Sequence, residues 1–217
     1  MPTLFFLVLF LGSSFIPLAY AQPSFCDKEK FLKSEIMPPA KDPKIHRLHV
    51  FKRTQAILAG LAIGESEVSS TKNLPNVFSV KVDDQKYCTF YFNKHNFEAA
   101  KTFHHNYLHH PKGGPDLKYA KEWEENLAGS YSEMATCLSN SKYLALGCDG
   151  QRHRGPTVFA ALLAYAGCEP ASAVDIAVTL WGDNDVDRKL RELIAAQAKA
   201  RGDKNPEIRA MLQKALE

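Results

Sequence analysis

The chain has 217 residues, a formal net charge of +3, 45% hydrophobic residues and 24% charged ones. That is long and apolar enough for one domain with a substantial core, and no run of basic residues alternates with aromatics in the way a nucleic-acid surface requires. Nucleic acid is therefore set aside as a partner.

Residues 4–11 form an apolar stretch too short to span a bilayer, followed by the small-x-small sequence Ala19-Tyr20-Ala21. This predicts a signal peptide over residues 1–21 and a mature domain over 22–217, periplasmic or secreted, with no membrane attachment after cleavage. The five cysteines are Cys26, Cys88, Cys137, Cys148 and Cys168. In an oxidising compartment four of them can form two disulfides, and if Cys148 stays reduced the other four pair in any of three ways.

Residues 45–51 and 77–82 read as strands, and 86–92 can pair with the latter across Asp83-Asp84. Residues 97–107 read as helix. His104, His105, His109 and His110 have spacings that could put two imidazoles on one helix face, but no Cys, Glu or Asp completes a metal pattern, so a solvated helix end is expected. Tyr119, Trp123, Leu127, Tyr131, Met134 and Leu138 mark one helix over 119–138.

Residues 143–146 are a short apolar run suited to a buried strand. Pro156 suits a first helical position, Val158, Phe159, Leu162, Leu163 and Tyr165 continue at helical spacing, and Gly167 supplies a stop. Val186, Leu190, Leu193 and Ile194 form a stripe after the capping candidates Asp183 and Asp185, and Pro206 opens a last helix with Ile208, Met211 and Leu212. Together these elements predict an α/β fold, a single-domain sheet flanked by helices.

Cys148 and Arg154 sit where the predicted strand turns into the predicted helix, with five residues between them. A thiol there faces the unsatisfied N–H groups and positive dipole end of the helix, which favour the thiolate and also attract an anion. A nucleophile and a phosphate cradle would share one loop.

On Cys148 and Arg154, with Phe159-Ala-Ala-Leu-Leu-Ala-Tyr-Ala-Gly167 and Ala171-Ser-Ala-Val174 after them, the chain resembles the cysteine-based phosphatases of the protein tyrosine and dual-specificity superfamily over roughly residues 110 to 182. The resemblance implies a dual-specificity-phosphatase-like α/β fold for residues 22–217, and a thiolate at Cys148 that attacks phosphorus. It also implies that Arg154 grips two phosphoryl oxygens and that Asp149, Gly150, Gln151, Arg152, His153 and Gly155 form the phosphate-binding loop. Asp116, in Gly114-Pro115-Asp116 and 32 residues before Cys148, matches the family's general acid. Neither metal nor cofactor is implied. The chemistry suits these residue types: a planar guanidinium meets two equatorial oxygens at once, a thiolate gives a covalent phosphocysteine, and an acid protonates the leaving alkoxide.

The loop departs from the family pattern at Gly147, where histidine is usual, at Gln151, where glycine is expected, and at Gly155, where serine or threonine helps release the thiolate. Thr157 is a candidate replacement for that last hydroxyl. These departures keep a second reading open, a phosphate- or phospholigand-binding protein with no turnover. Arg-Gly-Pro after the cysteine is also similar to the rhodanese-fold phosphatases, which have little chain after the loop helix, whereas about 50 residues follow Gly167 here. The expected substrate is a phosphorylated small molecule or a phosphoprotein. Phosphotyrosine proteins and, by likeness to the secreted phytase-like branch, inositol phosphates both fit, and Arg152, His153, Lys112 and Lys118 add local positive charge.

Overall fold

The computed structural model describes residues 22–29, 45–52, 57–63, 77–82, 85–91, 117–141, 143–148, 154–181 and 188–217. Among them five strands pair: β1 (Ile45–Lys52), β2 (Ile57–Ile63), β3 (Val77–Val82), β4 (Gln85–Tyr91) and β5 (Tyr143–Cys148), in the order β1-β2-β5-β4-β3. The β3–β4 pair is the antiparallel one read across Asp83-Asp84, with Val82 opposite Gln85. The middle strand β5 runs parallel to β2 on one side and β4 on the other. A strand between two parallel neighbours needs apolar residues, which accounts for Leu144-Ala-Leu146 at this position; Leu144, Leu146 and Phe90 opposite Leu146 are buried. β2 was not foreseen, because Ile-Leu-Ala-Gly-Leu-Ala-Ile has no alternation to announce a strand.

Among the described residues, the helices that follow or interleave are α1 (Leu117–Leu127), α2 (Ser130–Ser141), α3 (Arg154–Tyr165), α4 (Pro170–Trp181), α5 (Arg188–Lys204) and α6 (Pro206–Leu216), after a short 3-10 turn over Ser24–Cys26. These helices overturn the expected architecture. The stretches in which backbone and side chains are described without a break are 85% helical with no strand, so the single-domain α/β sheet of dual-specificity-phosphatase type is not what organises the packed core. Helices pack chiefly on helices. Every residue of α3 is buried, the apolar run from Val158 to Tyr165 and the polar Arg154 and Thr157 alike, and α5, α4, α2 and α6 supply further buried side chains to the same core. Local period identifies elements but not which of them pack together, so this arrangement of the core is not visible in the sequence.

Two boundaries also need correcting. The single helix expected over 119–138 is two, broken at Ala128-Gly129, where glycine weakens helix by about 1 kcal/mol relative to alanine. The stripe itself holds across the break, since Trp123, Leu127, Tyr131, Met134 and Leu138 are all buried. α3 starts at Arg154, two residues ahead of Pro156, so the proline sits within the first turn, where its missing N–H costs nothing. Elsewhere Pro206 does open the last helix, although Met211 points out at 41% exposure. The predicted helix over 97–107, the caps Asp183 and Asp185, Val186 and the signal peptide lie outside the described residues.

The far end of α3 is closed with care. Gly167 has φ of 120°, the Cys168 N–H donates to the Leu163 carbonyl and the Gly167 N–H to the Ala164 carbonyl, which together make a Schellman stop. Gln213 of α6 donates to the Ala166 carbonyl at 2.8 Å. Just beyond the stop, Cys168 is joined by a disulfide to Cys26, beside the buried Phe25.

Candidate active site

β5 delivers Cys148 to the C-terminal end of the middle strand, opposite Ala62 of β2, and α3 begins with Arg154. The five intervening residues therefore join the carboxyl end of a parallel strand to a helix N-terminus, the location at which strand-and-helix units bind ligands and helix ends bind anions. Arg154 is buried at 8% exposure, and Gly155, Pro156 and Thr157 are buried behind it. Pro156, within the first turn, carries no N–H.

The structure thus brings Cys148 and Arg154 to the two ends of one short loop. Asp149, Gly150, Gln151, Arg152 and His153 lie outside the described residues, as do Asp116, Lys112 and the four histidines 104, 105, 109 and 110. Lys118, on the first turn of α1, is exposed and pairs with Glu122 at 3.8 Å. Among the described residues, no group of three or more His, Cys, Asp or Glu could hold a metal ion, and no helix is long and apolar enough to cross a membrane.

A buried arginine also stands at the start of α3. Arg191, on α5, is 1% exposed and its Nε donates to Thr157 Oγ1 at 3.1 Å, on the first turn of α3. In the sequence it stands inside the charged run Arg188-Lys-Leu-Arg191-Glu192 and looks like surface. Its signal was periodic: Arg191 shares a helix face with Ile194, Ala195, Ala198 and Gly202, all buried.

A second polar cluster lies at the other end of α3. Arg201 Nε donates to Glu124 Oε1 at 2.6 Å, which raises the arginine's pKa above its ordinary value. Tyr131 stacks on Tyr165 with ring centroids 4.2 Å apart. Burial, and after it the Glu124 carboxylate, holds the Tyr131 hydroxyl well above the usual tyrosine value; burial likewise raises Tyr165.

The cysteines divide unevenly. Cys26 and Cys168 are bonded to each other, and Cys137, on α2, is also disulfide-bonded. Its partner must therefore be Cys88 or Cys148. Compared with known proteins, the chain matches no family model, no curated protein and no solved structure.

Proposed function

We propose that the chain is a secreted phosphate monoester hydrolase that works through a phosphocysteine at Cys148. The observation that carries this reading is the strand-end position of Cys148 and the helix-start position of Arg154, one short loop apart. In the first step the Cys148 thiolate attacks phosphorus, the bond to the leaving oxygen breaks, and the Asp116 carboxyl gives that oxygen its proton. In the second, water attacks the phosphocysteine, its proton returns to the Asp116 carboxylate, and inorganic phosphate leaves with the thiolate restored. Arg154 and the N–H groups of the loop hold the phosphoryl oxygens throughout.

The disulfides support a location outside the cytosol, where such bonds persist. The reading also requires Cys137 to be paired with Cys88, which leaves Cys148 as the one reduced thiol. For the substrate, an inositol phosphate is favoured slightly over a phosphotyrosine protein on the secreted location, and Arg152, His153, Lys112 and Lys118 add positive charge in the neighbouring sequence that suits a polyphosphorylated small molecule. The second reading, phosphate binding without turnover, is favoured by Gly155, which brings no hydroxyl to the place after the arginine.

The test is phosphate release by the mature protein from an aryl phosphate, a phosphotyrosine peptide and inositol hexakisphosphate, with a chelator present and Cys148→Ser in parallel. Chelator-resistant release that disappears in the serine variant is expected. Phosphate binding with no release from any of the three would replace the enzyme by the binding protein.

A further inference from the structure

We infer that the second disulfide of the chain joins Cys137 to Cys88, a covalent clamp between α2 and β4, and that Cys148 is thereby left as the one free thiol. The inference is drawn from backbone geometry and does not depend on the hydrolase reading, although that reading needs it.

Five cysteines leave few choices. Cys26 and Cys168 are bonded to each other, and Cys137 is disulfide-bonded as well. The two candidates for its partner, Cys88 on β4 and Cys148 on β5, stand at different levels of the sheet. Cys88 is opposite Leu144 in the parallel β4–β5 register, whereas Cys148 lies four positions beyond Leu144, past the last pair, Tyr91 with Gly147. At about 3.3 Å per residue the two levels are about 13 Å apart. A disulfide needs Cα atoms within about 7 Å of each other, so Cys137 cannot lie within reach of both.

The link between α2 and β5 selects one of them. α2 ends at Ser141, β5 starts at Tyr143, and α2 packs against both β5 and β4. With a single residue between them, the helix lies on the sheet only if the chain folds straight back, so α2 runs antiparallel to β5. Cys137 is five residues before that link, about 7.5 Å back along the helix axis. On the strand side Leu144 is about 7 Å from the link and Cys148 about 20 Å. Cys137 therefore sits at the level of Leu144, which is the level of Cys88, and about 12 Å short of Cys148.

The faces agree with the levels. Cys137 is buried on α2 with Met134 and Leu138, and the same core holds Leu144 and Leu146 of β5 and Phe90 of β4, opposite Leu146. Positions two apart on a strand share a face, so Cys88 belongs to the side of the sheet that Phe90 presents to this core. The bond thus fastens the strand beside β5 to the helix before it, and the strand that carries Cys148 is held in place without use of its own cysteine.

The experiment is alkylation with iodoacetamide of the full mature protein, unfolded in denaturant without reductant, followed by mass identification of the labelled peptides, for wild type, Cys148→Ser and Cys88→Ser. Wild type is expected to take one label, on Cys148. Cys148→Ser should take none, and Cys88→Ser should take two, on Cys137 and Cys148. If Cys88→Ser does not fold, wild type and Cys148→Ser decide alone. A wild-type label on Cys88 in place of Cys148 overturns the clamp and removes the nucleophile with it. Labels on Cys88, Cys137 and Cys148 together overturn the clamp and leave the hydrolase its thiol, whereas a single label on Cys148 with no phosphate released from the esters sinks the hydrolase and leaves the clamp standing.

Discussion

The two ends of α3 are built on opposite principles. At its C-terminal end every device favours the fold: a left-handed glycine, carbonyls capped by Gly167, Cys168 and Gln213, a disulfide, and an arginine paired with a carboxylate. At its N-terminal end stand two buried arginines, Arg154 and, donating to Thr157, Arg191. The difference teaches where each kind of substitution acts: the C-terminal end is tied into the fold by named contacts, whereas the N-terminal end carries the arginine proposed to hold phosphate.

Substitutions at the N-terminal end are therefore expected to change phosphate handling, and substitutions at the C-terminal end to change stability. The largest effect is expected for Arg154→Lys, which keeps the charge and loses the planar fork: kcat/KM for aryl phosphate should fall by about a thousandfold, as read from steady-state kinetics. Next, replacing Cys26 and Cys168 together by serine opens a bond spanning 142 residues of sequence. Denaturant unfolding should then show a loss of about 4 kcal/mol, with catalysis by the remaining folded protein unaffected.

A smaller loss tests the close approach of α5 to the end of α3. A Cβ on Gly202 would stand 2.2 Å from the Tyr165 carbonyl oxygen, which is backbone and cannot swing aside. Gly202→Ala should cost about 2 kcal/mol by overpacking even though alanine is the better helix former, and urea midpoints will measure it.

The smallest effect is a gain. Tyr131 Oη has no hydrogen-bond partner among the described residues, so Tyr131→Phe should stabilise the protein by about 1 kcal/mol at neutral pH. Because the folded pKa of Tyr131 is raised, its contribution is complete below the unfolded value of about 10 and is lost as pH climbs above it. Thermal melts between about pH 9 and 11 should therefore fall less steeply in the phenylalanine variant, with Tyr165 accounting for part of the remaining slope.

Much of the chain's local structure could be read directly. Alternation at residues 77–82 and 86–92, the apolar run before Cys148, the stripe ending at Gly167 and the proline at 206 each carry a period or a breaker with a physical cause, and strands or helices stand there. What could not be read was assembly. Nothing local distinguishes Ile57–Ile63 from a buried helix segment, nothing shows that one stripe over 119–138 must break at Gly129, and nothing reveals that helices rather than the sheet carry the continuous core. At the site, Cys148 and Arg154 were legible because they share one loop. Arg191 was not, because its partner Thr157 lies 34 residues away and charged neighbours hide its buried face.

The measurement that tests the central claim most directly is peptide mapping by mass spectrometry of the unreduced protein, acid-quenched during turnover of an aryl phosphate. The account predicts Cys137 joined to Cys88 and a phosphoryl group on the peptide that carries Cys148. Cys137 joined to Cys148 would contradict it, because the proposed nucleophile would then be half of a structural disulfide.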